Sequence, residues 1–117
     1  MIVRLAAASA LALLAGCQPE ISKNDATFYG YCVGIYPSAE VAIQRGYLRY
    51  PPGTFERIQK RASAAFPAPI EWPEDRLNLF VIEMGWAQNH GGAIVRGDVQ
   101  ARDITRLEAC IKWANDL

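Results

Sequence analysis

Cysteine occurs three times in this chain, at positions 17, 32 and 110, and the state of those thiols limits what a chain of this size can fold into. A bond between two of them leaves the third over. The chain has 117 residues, enough for one domain and not two. A domain of roughly 100 residues buries about two-thirds of its surface, so its core is modest and one cross-link is a large share of its net stability. Which cysteine stands apart is decided at the amino terminus.

Residues 1 to 17 begin with one positive residue, Arg4, followed by an uncharged run from Leu5 to Ala15 and small residues leading into Cys17. Charged region, apolar region and small-residue cleavage site are the three parts of a secretory signal. Eleven residues span about 16 Å as a helix, roughly half of a bilayer core, which is too short for a permanent transmembrane helix.

The tetrad Leu14-Ala15-Gly16-Cys17 resembles the lipobox of bacterial lipoproteins. The resemblance covers about a seventh of the chain. It implies that the Cys17 thiol takes a diacylglyceryl group, that the leader 1–16 is cut just before it, and that the new amino terminus is acylated. Three acyl chains, at about 0.8 kcal/mol per buried methylene, hold far more firmly than one myristoyl group. The implied location is the cell envelope, with the domain facing the periplasm. In a Gram-negative host, Gln18 in place of the aspartate that favours inner-membrane retention implies the outer membrane.

With Cys17 committed to lipid, Cys32 and Cys110 remain as an even pair in an oxidising compartment, and they are expected to form a disulfide. The bond would close a loop of roughly 79 residues, worth about 4 to 5 kcal/mol on a chain-entropy basis. A redox-active pair would normally be spaced Cys-x-x-Cys, which is absent.

Charge excludes one class of partner. The chain has 12 basic and 12 acidic residues, and loss of Arg4 with the leader leaves the remainder near −1. Such a domain has no general attraction for nucleic acid or for an anionic bilayer. Arg57, Lys60 and Arg61 share a helical face beside Glu56 and read as a solvated surface.

Residues 17–23 read as a lipidated tether and 24–117 as one globular domain. Asn24 is expected to cap a first helix in which Tyr29, Cys32, Val33 and Tyr36 recur at helical spacing. Gly30 and Gly34 would let a second helix approach closely. Pro37-Ser38 should interrupt this element, with a second short helix from Ala39 to Arg45 stopping at Gly46. Thr54 is expected to cap the next helix, which carries Phe55, Ile58, Ala62 and Ala65 to about Phe66. Pro67 to Pro73 should run extended. Pro73 then opens a helix with Leu77, Phe80, Val81, Met84 and Gln88 at helical spacing, stopped by Gly91-Gly92. Asp98 or Asp103 is expected to cap the last helix, where Ile104, Leu107, Cys110, Ile111 and Ala114 form an apolar stripe. The expected fold is all-α, a small bundle of four or five short helices clasped by one disulfide. The alternative is an α+β fold with short strands near 27–36 and 79–84, where β-branched and aromatic residues cluster.

Residues that could carry catalysis are few. His90 is the only histidine, and its position near an expected helix end favours a structural role at the terminal carbonyls. Neither paired histidines nor Cys-x-x-Cys offers a metal site, and no Gly-x-Ser-x-Gly or phosphate loop is present, so no cofactor is expected. Tyrosines at 29, 31, 36, 47 and 50 exceed what a small core needs, and Tyr47, Arg49 and Tyr50 have the composition of a partner surface. The expectation is a non-enzymatic lipoprotein that binds a protein or an envelope polymer in an accessory, exclusion or inhibitor role. The alternatives are a small hydrolase using Glu83 with His90, and a structural spacer.

Overall fold

The computed structural model describes residues 21–117. Cys17 and the leader lie outside the described residues. Four helices follow one another: α1 (Lys23–Gln44), α2 (Thr54–Ala65), α3 (Glu74–Ile94) and α4 (Ala101–Asn115), with a 3₁₀ turn at Pro69–Glu71 between α2 and α3. No strand occurs among the described residues, so 27–36 and 79–84 are both helical. The fold is a small all-α bundle clasped by a disulfide.

The domain begins earlier than the expected tether boundary, because Ile21 is already buried and Ser22, not Asn24, caps α1. The Ser22 hydroxyl accepts the Asp25 N–H at 3.0 Å, and Asp25 favours the positive end of the helix dipole. The helix then runs through Pro37, where an interruption was expected. An internal proline costs about 3 kcal/mol. Here Cys32 and Ile35 before it and Ala39 and Ala42 after it are all fully buried, while Pro37 itself faces solvent. Packing of both halves against one core outweighs the local defect. Gly46, with φ 81°, ends the element as expected.

The next start is set from a distance. Thr54 was expected as the cap of α2, yet its hydroxyl donates to the Pro51 carbonyl at 2.6 Å. The Glu40 carboxylate on α1 instead accepts the N–H groups of Gly53 at 2.8 Å, Phe55 at 2.9 Å and Glu56 at 3.2 Å. Beyond α2, the segment expected to be fully extended contains the 3₁₀ turn. Trp72 is buried there, its indole N–H donating to the Pro67 carbonyl at 2.9 Å.

Helix α3 runs parallel to α1, and small residues make the seam. A Cβ on Gly30 would stand 2.9 Å from the Phe80 Cα, and one on Gly34 would stand 3.1 Å from the Met84 Cα. Gly91 presses on Ser38 in the same way, a Cβ there lying 2.7 Å from the Ser38 Cβ. Gly91-Gly92 therefore does not stop the helix as expected. It lets α3 continue against α1 to Ile94, and the chain turns at Gly97, with φ 86°.

Helices α2 and α4 run back antiparallel to α1, giving an up-down-up-down order. The cap of α4 is Gln100 rather than either aspartate, with Asp103 returning its carboxylate to the Gln100 N–H at 2.9 Å in a capping box. Cys32 on α1 and Cys110 on α4 are disulfide-bonded, both fully buried, with Cα atoms 5.7 Å apart and a sequence separation of 78. At the end where α1 begins, Trp113 Nε1 donates to Asp25 Oδ1 at 2.9 Å, and Tyr29, Phe66, Trp72, Phe80 and Trp113 pack ring to ring. Two of the three tryptophans are thus core residues.

Candidate functional site

Helices α3 and α4 both pack on α1 and meet each other little, so a furrow remains between them with α1 as its floor. Tyr31 comes up from that floor. Glu83 and His90, seven residues apart on α3, form one wall, and Asp103 and Arg106, one turn apart on α4, form the other. The furrow widens into two concavities. The smaller, about 190 Å³, holds Tyr31, Glu83 and Arg106; the larger, about 360 Å³, lies toward the α3–α4 connection and holds His90, Asp98, Arg102 and Asp103.

Tyr31 joins the two. Its hydroxyl lies 3.2 Å from His90 Nδ1, and the Arg106 guanidinium carbon sits 5.3 Å from the centre of its ring. Burial pushes the Tyr31 hydroxyl up to about pKa 12, opposed by the Arg106 charge and helped by the Asp103 and Glu83 carboxylates. The phenol therefore stays protonated and able to donate to His90 across the physiological range. His90 lies four residues inside α3 and bonds a side chain, so the role expected of it at a helix end is not the one it has. Trp86 leans on its ring at 6.0 Å between centres.

Asp103 stands out electrostatically. Only 2% of the residue is exposed, and although Oδ2 takes the Gln100 N–H, Oδ1 has no hydrogen-bond partner among the described residues. The nearest cation, Arg102 Nε, is 3.8 Å from Oδ1, beyond hydrogen-bond reach.

Glu83 and His90, the pair weighed for hydrolysis, line the same furrow. Seven residues separate their Cα atoms by about 10 Å along the helix axis, and the His90 Nδ1 bond goes to Tyr31. Among the described residues no cluster of three or more His, Cys, Asp or Glu side chains could hold a metal ion, and no helix is long and apolar enough to cross a membrane.

The three residues read as a partner surface separate. Tyr50 is committed to the domain, its hydroxyl donating to Glu108 at 2.6 Å and its ring meeting Phe55 edge-on. Tyr47 and Arg49 are exposed, and the Tyr47 ring lies over Gly97 in the α3–α4 connection.

A second surface was missed by the sequence reading. Val81 was assigned to the inward stripe of α3, yet it is 57% exposed, beside Ile82 at 56% and Trp86 at 54%. Glycines move α3 so close to α1 that a narrow strip of small residues makes the seam, which turns the larger apolar side chains outward. Trp86 was visible in the sequence as an unplaced tryptophan, the one signal that could have found this face.

A scan against protein-family models finds no match, and neither the curated proteins nor the solved structures show a significant similarity to the chain.

Proposed function

We propose that this chain is a membrane-tethered, non-enzymatic envelope lipoprotein that works by binding a protein partner through the outer face of α3. The observation that carries this reading is the uncharged apolar surface of Val81, Ile82 and Trp86, each more than half exposed on one side of a well-packed helix. Neighbouring large apolar side chains held in water mark interaction sites, and tryptophan is one of the residues enriched among binding hot spots. Gly85 lies among them with open space where a Cβ would stand, so a partner can approach the helix backbone. Exposed Asn78 and Asn89 supply a polar edge at either end.

The envelope address rests on the lipobox, and the Cys32–Cys110 disulfide agrees with an oxidising compartment. Orientation favours a protein over lipid as the occupant. The tether joins the domain at the start of α1, and α3 runs parallel to α1. Val81 therefore stands about 10 Å along α3 from the end of the bundle at which the tether joins, on the side of the bundle and not at that end.

Two measurements test the reading. Cys17→Ser should abolish palmitate incorporation and release the protein from membranes; persistent label and unchanged fractionation would refute the anchor. Trp86→Ala with Ile82→Ser should remove the cellular phenotype of the wild-type gene while the thermal transition stays in place. Full activity of that double variant would refute the docking face. A dimer in detergent that dissociates in this variant would make a second copy the occupant and overturn the assignment to a different protein.

A further inference from the structure

We propose that the smaller concavity of the furrow binds the zwitterion of a small apolar α-amino acid, the Arg106 guanidinium taking its carboxylate and the Glu83 carboxylate its ammonium. The first observation is that these two opposite charges line one concavity from opposite walls, and both are open to a ligand: Arg106 is exposed and Glu83 half-buried. Among the described residues neither takes part in an ion pair. The second is that Arg106 is held at the site. Its guanidinium carbon lies 5.3 Å from the centre of the Tyr31 ring, and Tyr31 is the buried floor of the same concavity. Stacking occupies the face of a guanidinium and leaves its N–H groups, which lie in the plane, free to form a fork on a carboxylate.

The charge pattern selects the ligand. A plain carboxylate is attracted by Arg106 and repelled by Glu83, and a plain amine meets the reverse; a zwitterion satisfies both. Apolar surroundings select the rest of the molecule. Phe28 and Ala109 line the concavity between the charges, the Thr27 hydroxyl is spent on the Lys23 carbonyl at 2.9 Å, and the Tyr31 hydroxyl is spent on His90. No free polar group is left there to receive a polar side chain. Size sets the upper limit. About 190 Å³ is several times the roughly 30 Å³ of one water, yet it falls below the roughly 300 Å³ at which pockets for drug-sized ligands begin. The concavity lies between α3 and α4, and its occupancy does not depend on the partner proposed for the outer face of α3.

The test titrates the full chain in detergent with L-leucine, with leucinamide, which lacks the carboxylate, and with 4-methylpentanoate, which lacks the ammonium. The backbone amide signals of Tyr31, Glu83 and Arg106 report binding. Saturable shifts with leucine are expected, and loss of either charged end should weaken binding about 10-fold or more, the value of one charged hydrogen-bonded contact. Arg106→Gln should weaken leucine by a similar factor and leave leucinamide no weaker than before. Glu83→Gln should weaken leucine and tighten 4-methylpentanoate, an opposite pair of effects that a loss of folding does not produce. Ala109→Met keeps both charges and fills the concavity, and it should weaken all three probes. Linear, non-saturating shifts with leucine would overturn the proposal. So would leucine affinity unchanged in Arg106→Gln or Glu83→Gln, or a leucyl-alanine dipeptide binding as tightly as leucine.

Discussion

The carboxylate of Glu40, in the second half of α1, accepts the backbone N–H of Phe55 at 2.9 Å and so fixes where α2 begins. Its two oxygens also take the N–H groups of Gly53 and Glu56, so one side chain satisfies donors that a helix start normally leaves to a local cap. Glu40→Ala should lower unfolding stability by about 1–3 kcal/mol, because it leaves part-buried donors unpaired. Glu40→Gln should cost less, since its oxygen still accepts. Urea denaturation of the two variants checks the order; equal stability of Glu40→Ala and wild type would refute the capping role.

The glycines of the bundle should divide by position and not by residue type. Gly30→Ala and Gly91→Ala place a methyl group against α3 backbone and against Ser38, and each should destabilise by about 1–3 kcal/mol. Gly85→Ala meets nothing within 4 Å in the middle of a helix and should stabilise by about 0.5–1 kcal/mol. Thermal scans of the three variants check both signs. A stabilised Gly30→Ala would contradict the close seam between α1 and α3.

Removing the cross-link should be costly. Cys32→Ala with Cys110→Ala opens a 78-residue separation, and the chain-entropy value is about 4 to 5 kcal/mol. That is comparable with the whole stability of a small domain. Circular dichroism of the double variant at 37 °C should show substantial loss of helix, and wild-type stability would mean that packing alone holds α4. Non-reducing mass spectrometry should find the two cysteine peptides linked.

Alkaline titration offers a separate handle on the furrow. Burial raises the folded-state pKa of Tyr31 to about 12, against roughly 10 for a free phenol. A raised pKa contributes stability that is whole below about pH 10 and is lost as pH rises toward 12. Tyr50 shifts in the same direction, through burial and its bond to the Glu108 carboxylate. Tyr31→Phe and Tyr50→Phe should each remove one phenol from the late part of the absorbance titration. A variant whose curve loses an early phenol instead would contradict the burial.

How far the sequence reached depends on the range of the interaction concerned. The stripe expected through Ile104, Leu107, Cys110, Ile111 and Ala114 holds at Leu107, Cys110 and Ala114, with Ile111 half-buried and Ile104 exposed at the helix start; it and the close-packing role of Gly30 and Gly34 were legible, because each is carried by spacing within one helix. The continuity of α1 through Pro37 was not, since a local breaker is overruled by packing on either side. Gly91-Gly92 misled for a related reason: glycine marks a helix end by its backbone freedom and a helix seam by its lack of a side chain, and sequence alone does not separate the two. The Glu40 cap spans 13 to 16 positions, out of reach of any local pattern. In the furrow, Glu83 and His90 were singled out, but Tyr31, Asp103 and Arg106 come from other helices and meet them only in the fold.

The outer face of α3 separates a binding domain from a spacer. Its most direct test places a photo-crosslinking phenylalanine analogue at Ile82 in the cell, with Lys60 on the exposed side of α2 as the control position. A single adduct to one other envelope protein at position 82, absent at position 60 and lost when Trp86→Ala is added, is the expected result. No adduct at 82, or the same adducts at both positions, would contradict it.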